Sequence, residues 1–429
     1  MGALRCKWYI ARVPSSRARL GQNVVALAAV SFFTDMSSEM IYPLLPVFLT
    51  TTLGASAGML GLIEGAAETT AALLKLASGW WSDRVQRRKP LVVFGYALAS
   101  VARPLIAAAQ SAGQVLAIRL TDRVGKGLRG APRDALIADS ADPAFRGRAF
   151  GVQRAADHAG AVVGPLLAFA LLQWWGVGMR SVFWLAAIPA AASVAIVVYG
   201  VRETGAGRAR GAMERAPAPA FAVPGGAMVD ASEARALPGT FWGYLAVLLV
   251  FTLGNSTDAF LLVRARQLGV PVALIPILWA LLHVVKSAAS TPGGALSDRA
   301  GRVPSIVAGW TVYALVYVGF AFASAPWHAW ALFAAYGLVF ALTEGPERAL
   351  VADIVGAARR GTAYGFFNLT IGLGALPASV MFGVLWDCFG AGVAFGTGAA
   401  LAMIAAGGLA LLRPETATTT HPNSANDSE

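Results

Sequence analysis

The sequence predicts an all-α polytopic membrane protein, with twelve transmembrane helices in two pseudo-symmetric six-helix bundles. Composition, span length and an internal duplication carry that prediction. Hydrophobic residues make up 57% of the chain and charged residues 13%, against about 25% charged in a soluble domain. Mean hydropathy is +0.61, so the bilayer must act as the solvent. Apolar runs of about 20 residues span a membrane as helices. They fall at 23–50, 57–82, 90–110, 113–133, 148–172, 180–200, 239–264, 272–297, 303–323, 327–349, 361–386 and 391–413. The duplication then divides them six and six. Gly79-Trp-Trp-Ser-Asp83-Arg84, with its basic run to Lys89-Pro90, returns 215 positions later as Gly294-Ala-Leu-Ser-Asp298-Arg299, followed by Arg302 and Pro304. Pro132-Arg-Asp-Ala-Leu-Ile-Ala-Asp139 returns 214 positions later as Pro346-Glu-Arg-Ala-Leu-Val-Ala-Asp353. A unit of about 200 residues is far too long for a solenoid repeat.

The expected organisation is a basic N-terminal segment (1–21), a first bundle (22–200), a linker (201–238), a second bundle (239–413) and a disordered tail (414–429). The linker is rich in Ala, Pro, Gly and Arg with no apolar periodicity. Charge placement orients the chain. The N-terminus, the Arg84–Lys89 loop, the Arg146–Arg148 loop, the linker, Arg299 with Arg302, and Arg359 with Arg360 all fall on one side. Opposite loops such as LTTTLGASA and AQSAGQ are nearly uncharged, with Arg180, Arg264 and Arg266 the exceptions. The positive-inside rule places both termini and the linker in the cytoplasm of an inner or plasma membrane. The net charge of +11 is thus a topology signal and does not call for nucleic acid. No signal-peptide cleavage pattern follows the basic N-terminus, so the first helix reads as retained.

Ionised side chains at membrane depth cost several kcal/mol and need a partner or a hydrated cavity. On helix 1, Asp35 and Glu39 sit one turn apart, Asp35 about 18 Å in. Helix 2 places Glu64, Glu68 and Lys75 on one face. On helix 4, Arg119, Asp122, Arg123, Lys126 and Arg133 form a charged stripe at i, i+3, i+4, i+7 spacing. Helix 5 carries Arg154, Asp157 and His158. The second half is sparser, with Asp258, His283, Lys286, Glu344, Glu347 and Arg348. Any one of these pairs reads equally well as a buried ion pair holding helices together. Taken together they favour a hydrated central cavity, because seams between membrane helices normally use small residues. In the first half six acids (Asp35, Glu39, Glu64, Glu68, Asp122, Asp157) face six bases (Lys75, Arg103, Arg119, Arg123, Lys126, Arg154). That balance leaves the sign of a ligand open, and helix 4 alone leans toward an anionic or zwitterionic one.

Other chemistries are set aside. There is no G-x-x-x-x-G-K-[ST] loop for nucleotide triphosphate. Cys6 and Cys388 lie at opposite ends, so neither a disulfide framework nor a metal site is expected. His158 and His283 read as hydrogen-bonded cavity residues. No cofactor or metal is expected.

Six plus six helices, a cytoplasmic linker and a loop 2–3 motif echoed in loop 8–9 resemble the major facilitator superfamily of secondary transporters, over about residues 22–413. The drug/proton-antiporter-like subgroup is the nearest pattern. The resemblance implies that Gly79, Asp83, Arg84, Gly294, Asp298 and Arg299 form a gating element between the halves. Gln86 stands where the family has glycine, whereas the second copy keeps Gly301. Arg123-Val-Gly-Lys126-Gly127 resembles the helix 4 motif, whose arginine is linked to proton transfer, with lysine in place of glutamine. Gly160-Ala-Val-Val-Gly164-Pro165 resembles the helix 5 antiporter motif without its following Gly-Gly. Close helix packing would explain the same glycine pair.

The expected function is secondary active transport of a small polar or amphipathic solute by alternating access, as proton-coupled efflux. A proton-coupled importer of an organic anion is the alternative. A membrane sensor or intramembrane enzyme remains a remote one, for which no effector domain or nucleophile constellation is visible. Proton coupling is assigned to Asp35 and Glu39, supported by Glu64, Glu68 and Asp122. Substrate contact is assigned to Arg119, Arg123, Lys126, Arg154, Asp258, Lys286 and Glu344, and gating also to Gly160, Gly164 and Pro165. The expected partners are the lipid bilayer, the solute and protons, with the protein acting as a monomer.

Overall fold

The computed structural model describes residues 21–84, 88–141, 146–203, 237–355 and 359–412. The expected N-terminal segment and tail, and all but the ends of the linker, lie outside these residues. The described chain forms twelve helical segments and no strand: α1 (Gln22–Thr52), α2 (Ala57–Arg84), α3 (Lys89–Ala108), α4 (Ala112–Ser140), α5 (Arg146–Gln173), α6 (Met179–Gly200), α7 (Gly239–Gln267), α8 (Val272–Ala300), α9 (Arg302–Phe322), α10 (Pro326–Val355), α11 (Arg360–Phe389) and α12 (Ala391–Leu412). Among the described residues, nine are long and apolar enough to cross a membrane by length and composition. The other three, α2, α4 and α10, are the helices that carry Glu64 with Glu68, the charged stripe, and Glu344 with Glu347.

Both α4 and α10 run past their apolar segments, to Ser140 and Val355, with Pro132 and Pro346 accommodated inside the helix. Ser111 starts α4 as an N-cap, its hydroxyl accepting from the Gln114 N–H, while Gln114 Oε1 accepts from the Gln110 N–H. Proline breaks α1: Pro43 has no N–H to donate, and the chain turns at 42–44 before Leu45–Val47 and a π-helical stretch, Phe48–Thr52. A single residue separates α8 from α9. It is Gly301, at φ +96°, a conformation only glycine adopts without strain.

The two halves pack alike. Helix pairs α1–α5, α2–α4, α3–α4, α1–α6 and α3–α6 recur as α7–α11, α8–α10, α9–α10, α7–α12 and α9–α12. The duplicated blocks meet each other in each half. Arg88 pairs with Asp139, and 214 positions on Arg302 reaches Asp353 at 3.6 Å. In the second half Phe251 stacks on Trp310 and meets Tyr313 edge-on, and Tyr313 stacks on Tyr317. The three arginines at the uncharged end tie down helix ends. Arg180 donates to the carbonyls of Ala107 and Ala109, Arg264 to those of Phe320 and Ala323, and Arg266 to that of Val270.

The halves join mainly along α2–α11, with α5–α8 as a second contact. Small residues let the α2 and α11 backbones touch: a methyl on Gly61 would sit 2.1 Å from the Ser379 carbonyl oxygen, and one on Gly383 2.3 Å from that of Ala57. At the uncharged end, Asp387 of α11 accepts from the Ala57 and Gly58 N–H groups at 2.8 and 2.6 Å. A carboxylate there caps the α2 N-terminus and complements its dipole. Gly61→Val should overpack this seam and cost about 1–3 kcal/mol. Melting in detergent against Gly151→Ala, where a methyl meets nothing within 4 Å, checks it; equal melting temperatures would contradict the contact.

Candidate functional site

The α4 stripe divides into paired and unpaired charges. Arg119 grips Glu64 of α2 with two hydrogen bonds, 3.1 Å from Nε and 2.6 Å from Nη2. Its Nη1 also lies 3.8 Å from Asp122. Arg103 at the α3 bend bonds Asp122 at 2.6 Å and the Thr34 carbonyl at 3.2 Å. These side chains are 8% exposed or less. Two acids and two bases thus neutralise one another inside α1–α4, where an unmatched charge would be prohibitively costly. In the sequence Arg103 counts among the first-half bases without an assigned role, because its partner is on another helix. The structure therefore places Glu64 and Asp122, assigned to proton coupling, and Arg119, assigned to substrate, in one buried lattice.

One turn further along α4 the surroundings change. Arg123 is buried and bonds Glu68 at 2.9 Å, but Glu68 is 51% exposed. Lys126 is exposed. Its electrostatic neighbours are Arg123, Glu68, Asp35 and Asp122, on α4, α2 and α1, so it points into the protein. Arg129 returns to the interior, stacked 4.4 Å over Tyr96, and Arg133 bonds Asp134 at 2.9 Å.

The two α1 acids part company. Glu39 accepts a 2.7 Å hydrogen bond from the Trp279 indole of α8, a bridge between the halves. Trp279 also packs on Tyr42 and His283, with ring centroids 5.1 and 5.0 Å apart. Asp35 is half-buried, with Asp157 of α5 as well as Glu39 as an acidic neighbour. Gln153 holds Asp157, donating to it at 2.6 Å and to Ser31 at 3.1 Å. Helix period alone pairs Asp35 with Glu39; the α1–α5 seam supplies a second acidic neighbour. That seam is close because a methyl on Gly160 or Gly164 would lie 2.4 or 2.5 Å from the carbonyl oxygens of Phe32 or Met36. Pro165 is buried within α5 beside it. The expected hydrogen bonding of His283 is not met at Nε2, which is buried without a partner.

From the second half, Asp258 accepts from the Tyr336 hydroxyl at 2.6 Å and lies in electrostatic range of both Lys286 and Glu68. Lys286 pairs with Glu344 at 3.2 Å and sits 4.1 Å over Phe340. Arg348 adds a 3.7 Å contact to Glu344, and Arg154 of the first half is within electrostatic range of that carboxylate. Glu347 is buried and accepts from the Trp310 indole at 3.0 Å. Charged groups of both halves therefore meet at mid-span.

The gating expectations are placed in part. The surroundings of Gly79 and the side chains of Asp83 and Arg84 are not among the described features, although α2 runs to Arg84. In the second copy Gly294 has open space where a methyl would be, Asp298 pairs with Arg302, and Arg299 is exposed in the last turn of α8.

A family model described as Major Facilitator Superfamily matches residues 27–379 and 259–428. A protein of Methanocaldococcus jannaschii described as an uncharacterized MFS-type transporter is 34% identical over 373 residues, covering 86% of this chain and 89% of that protein. A multidrug resistance protein MdtH of Aeromonas hydrophila is 24% identical over 380 residues, covering 86% and 88%. Among solved structures, a bacterial homologue of the human lysosomal transporter Spinster, inward-facing and occupied, superposes with a TM-score of 0.69 at 18% identity, covering 91% of this chain and 96% of that one. The nucleoside transporter NupG gives 0.72 at 13% identity, covering 91% and 98%.

Proposed function

This chain belongs to the Major Facilitator Superfamily of secondary transporters, and from that premise we propose that it exports a small polar or amphipathic solute in exchange for protons. It does so by alternating access, as a monomer in the inner or plasma membrane with both termini cytoplasmic. The observation that carries the proposal is the group of charged side chains between the halves. Glu68 and Lys126 are exposed at mid-helix and Glu68 lies in electrostatic range of Asp258 of the second half, while Glu39–Trp279 and Asp387 join the halves toward the uncharged end. Rocking of two bundles about a midplane site exposes such groups to each side in turn. The drug/proton-antiporter-like pattern around Gly160 and the multidrug resistance relative support export. The α5 glycines have a packing role against α1, which an exchanger needs as much as any other transporter.

A second reading, proton-coupled import of an organic anion, is favoured by one observation: Lys126 has no ion-pair partner within 4 Å among the described residues. Everted vesicles holding a pH-sensitive dye separate the two. On adding a transported solute, an exchanger releases the stored proton gradient, whereas a symporter does so only when the solute starts on the other side. No proton movement in either orientation, with solute transport intact, would overturn proton coupling.

A further inference from the structure

We propose that the transported solute carries an acidic group, and that Lys126 with the Nε–H of Arg123 receives it. This rests on the transporter reading above and names the chemistry its site recognises. The sequence offers a stripe of cations on α4, and the structure removes all but Arg123 and Lys126 from consideration. Arg119 is paired with Glu64 and lies beside Asp122, Arg129 is committed to Tyr96, and Arg133 to Asp134. Lys286 from the other half is taken by Glu344.

Lys126 alone on the stripe is exposed with no hydrogen bond or ion pair among the described residues. It lies seven residues from the inner end of the apolar span 113–133, about 10 Å at 1.5 Å per residue, hence well inside the bilayer. A bare ammonium at that depth is costly unless water or a ligand covers it.

A second observation points to the same ligand. The Nε–H of Arg123 is buried without a hydrogen-bond partner, although its Nη2 holds Glu68. Residues 123 and 126 are three apart and share a helix face, so two unfilled donors stand beside each other. A carboxylate, phosphate or sulfonate supplies oxygens for both, and charge-assisted bonds of this kind are the strong ones. A purely cationic solute would leave both donors unfilled and meet Lys126 as a like charge. Nearby acids do not cancel the site. Glu68 is occupied by Arg123, Glu39 by Trp279 and Asp157 by Gln153, while Asp35 is within electrostatic reach of Lys126 but not at ion-pair distance. Asp35 is thus available to the amine of a zwitterion, or to a proton when the solute is a plain anion.

The test uses matched probes on purified full-length protein: 3-phenylpropionate, 2-phenylethylamine and phenylalanine, then butyrate, butylamine and 4-aminobutyrate, then glycerol 3-phosphate against glycerol. Thermal shift reads binding, and counterflow in proteoliposomes reads transport. The expected result is that only acid-bearing members bind. Their affinity should fall about tenfold to a hundredfold in Lys126→Gln and return largely in Lys126→Arg, with the ligand-free melting temperature unchanged. Hits among the plain anions identify an anion site, and hits among the amino acids alone a zwitterion site with Asp35 as the second anchor. Binding of an amine or neutral member, binding untouched by Lys126→Gln, no binding by any probe, or a large drop in melting temperature in Lys126→Gln would each overturn the inference. Acid-selective binding without any transport would support this site and defeat the transporter proposal separately.

Discussion

Glu64→Ala should lower stability by about 3–5 kcal/mol, the largest effect expected of any single substitution in the first bundle. Removing the carboxylate leaves Arg119 buried with a fork of donors and only the longer 3.8 Å contact to Asp122. The same guanidinium lies 5.7 Å from the Tyr42 ring, which cannot replace a carboxylate. A buried pair and a lone buried charge behave oppositely. Removing both partners by Glu64→Leu with Arg119→Leu should recover much of the loss, because neither charge then needs solvation. Melting of the two single variants and the double variant in detergent closes the cycle. Additive losses would mean that Glu64 and Arg119 do not depend on each other. A Glu64→Gln variant that melts normally yet loses proton coupling would move Glu64 out of the lattice role and back to the coupling role its sequence position suggests.

How much of this was legible beforehand depends on distance along the chain. Twelve helices and the charged face of α4 follow from local periodicity, their division into halves follows from the internal repeat, and the structure repeats them. Which α4 charges are neutralised does not follow, because the partners come from Glu64, Glu68 and Arg103, 55, 55 and 19 residues away. A period of 3.6 puts residues on one face without saying what that face meets. Contacts between halves were out of reach for the same reason. Trp279 is 240 residues from Glu39, and Asp387 is 330 from Ala57; nothing in either neighbourhood marks them. The pairing of Arg88 with Asp139 and of Arg302 with Asp353 did leave a signal. All four lie in the two blocks that repeat at offsets of 215 and 214 residues, and two motifs duplicated together are natural candidates for contact.

Asp35→Asn should abolish accumulation driven by a pH gradient while exchange of solute persists. A one-unit gradient sustains up to about a tenfold concentration ratio for each coupled proton, so the expected change is from about tenfold accumulation to none. Asp35 is the α1 acid whose carboxylate has no hydrogen bond or ion pair among the described residues, and it faces Asp157, Glu39, Lys126 and Arg129. Asp35 and Asp157 face each other across the α1–α5 seam. Glu39 has a different task on this geometry. Its bond to Trp279 exists only while α1 and α8 are together, which makes it part of the contact that opens when the halves rock. Glu39→Gln keeps an acceptor for the indole N–H and should slow transport less than Trp279→Phe, which removes the donor. Proteoliposomes with an imposed pH gradient, loaded with any acid-bearing probe the wild type moves, read all three variants. Driven accumulation that survives in both Asp35→Asn and Glu39→Gln would clear the α1 acids and shift the coupling role to Glu68, the exposed carboxylate on the same side of the site.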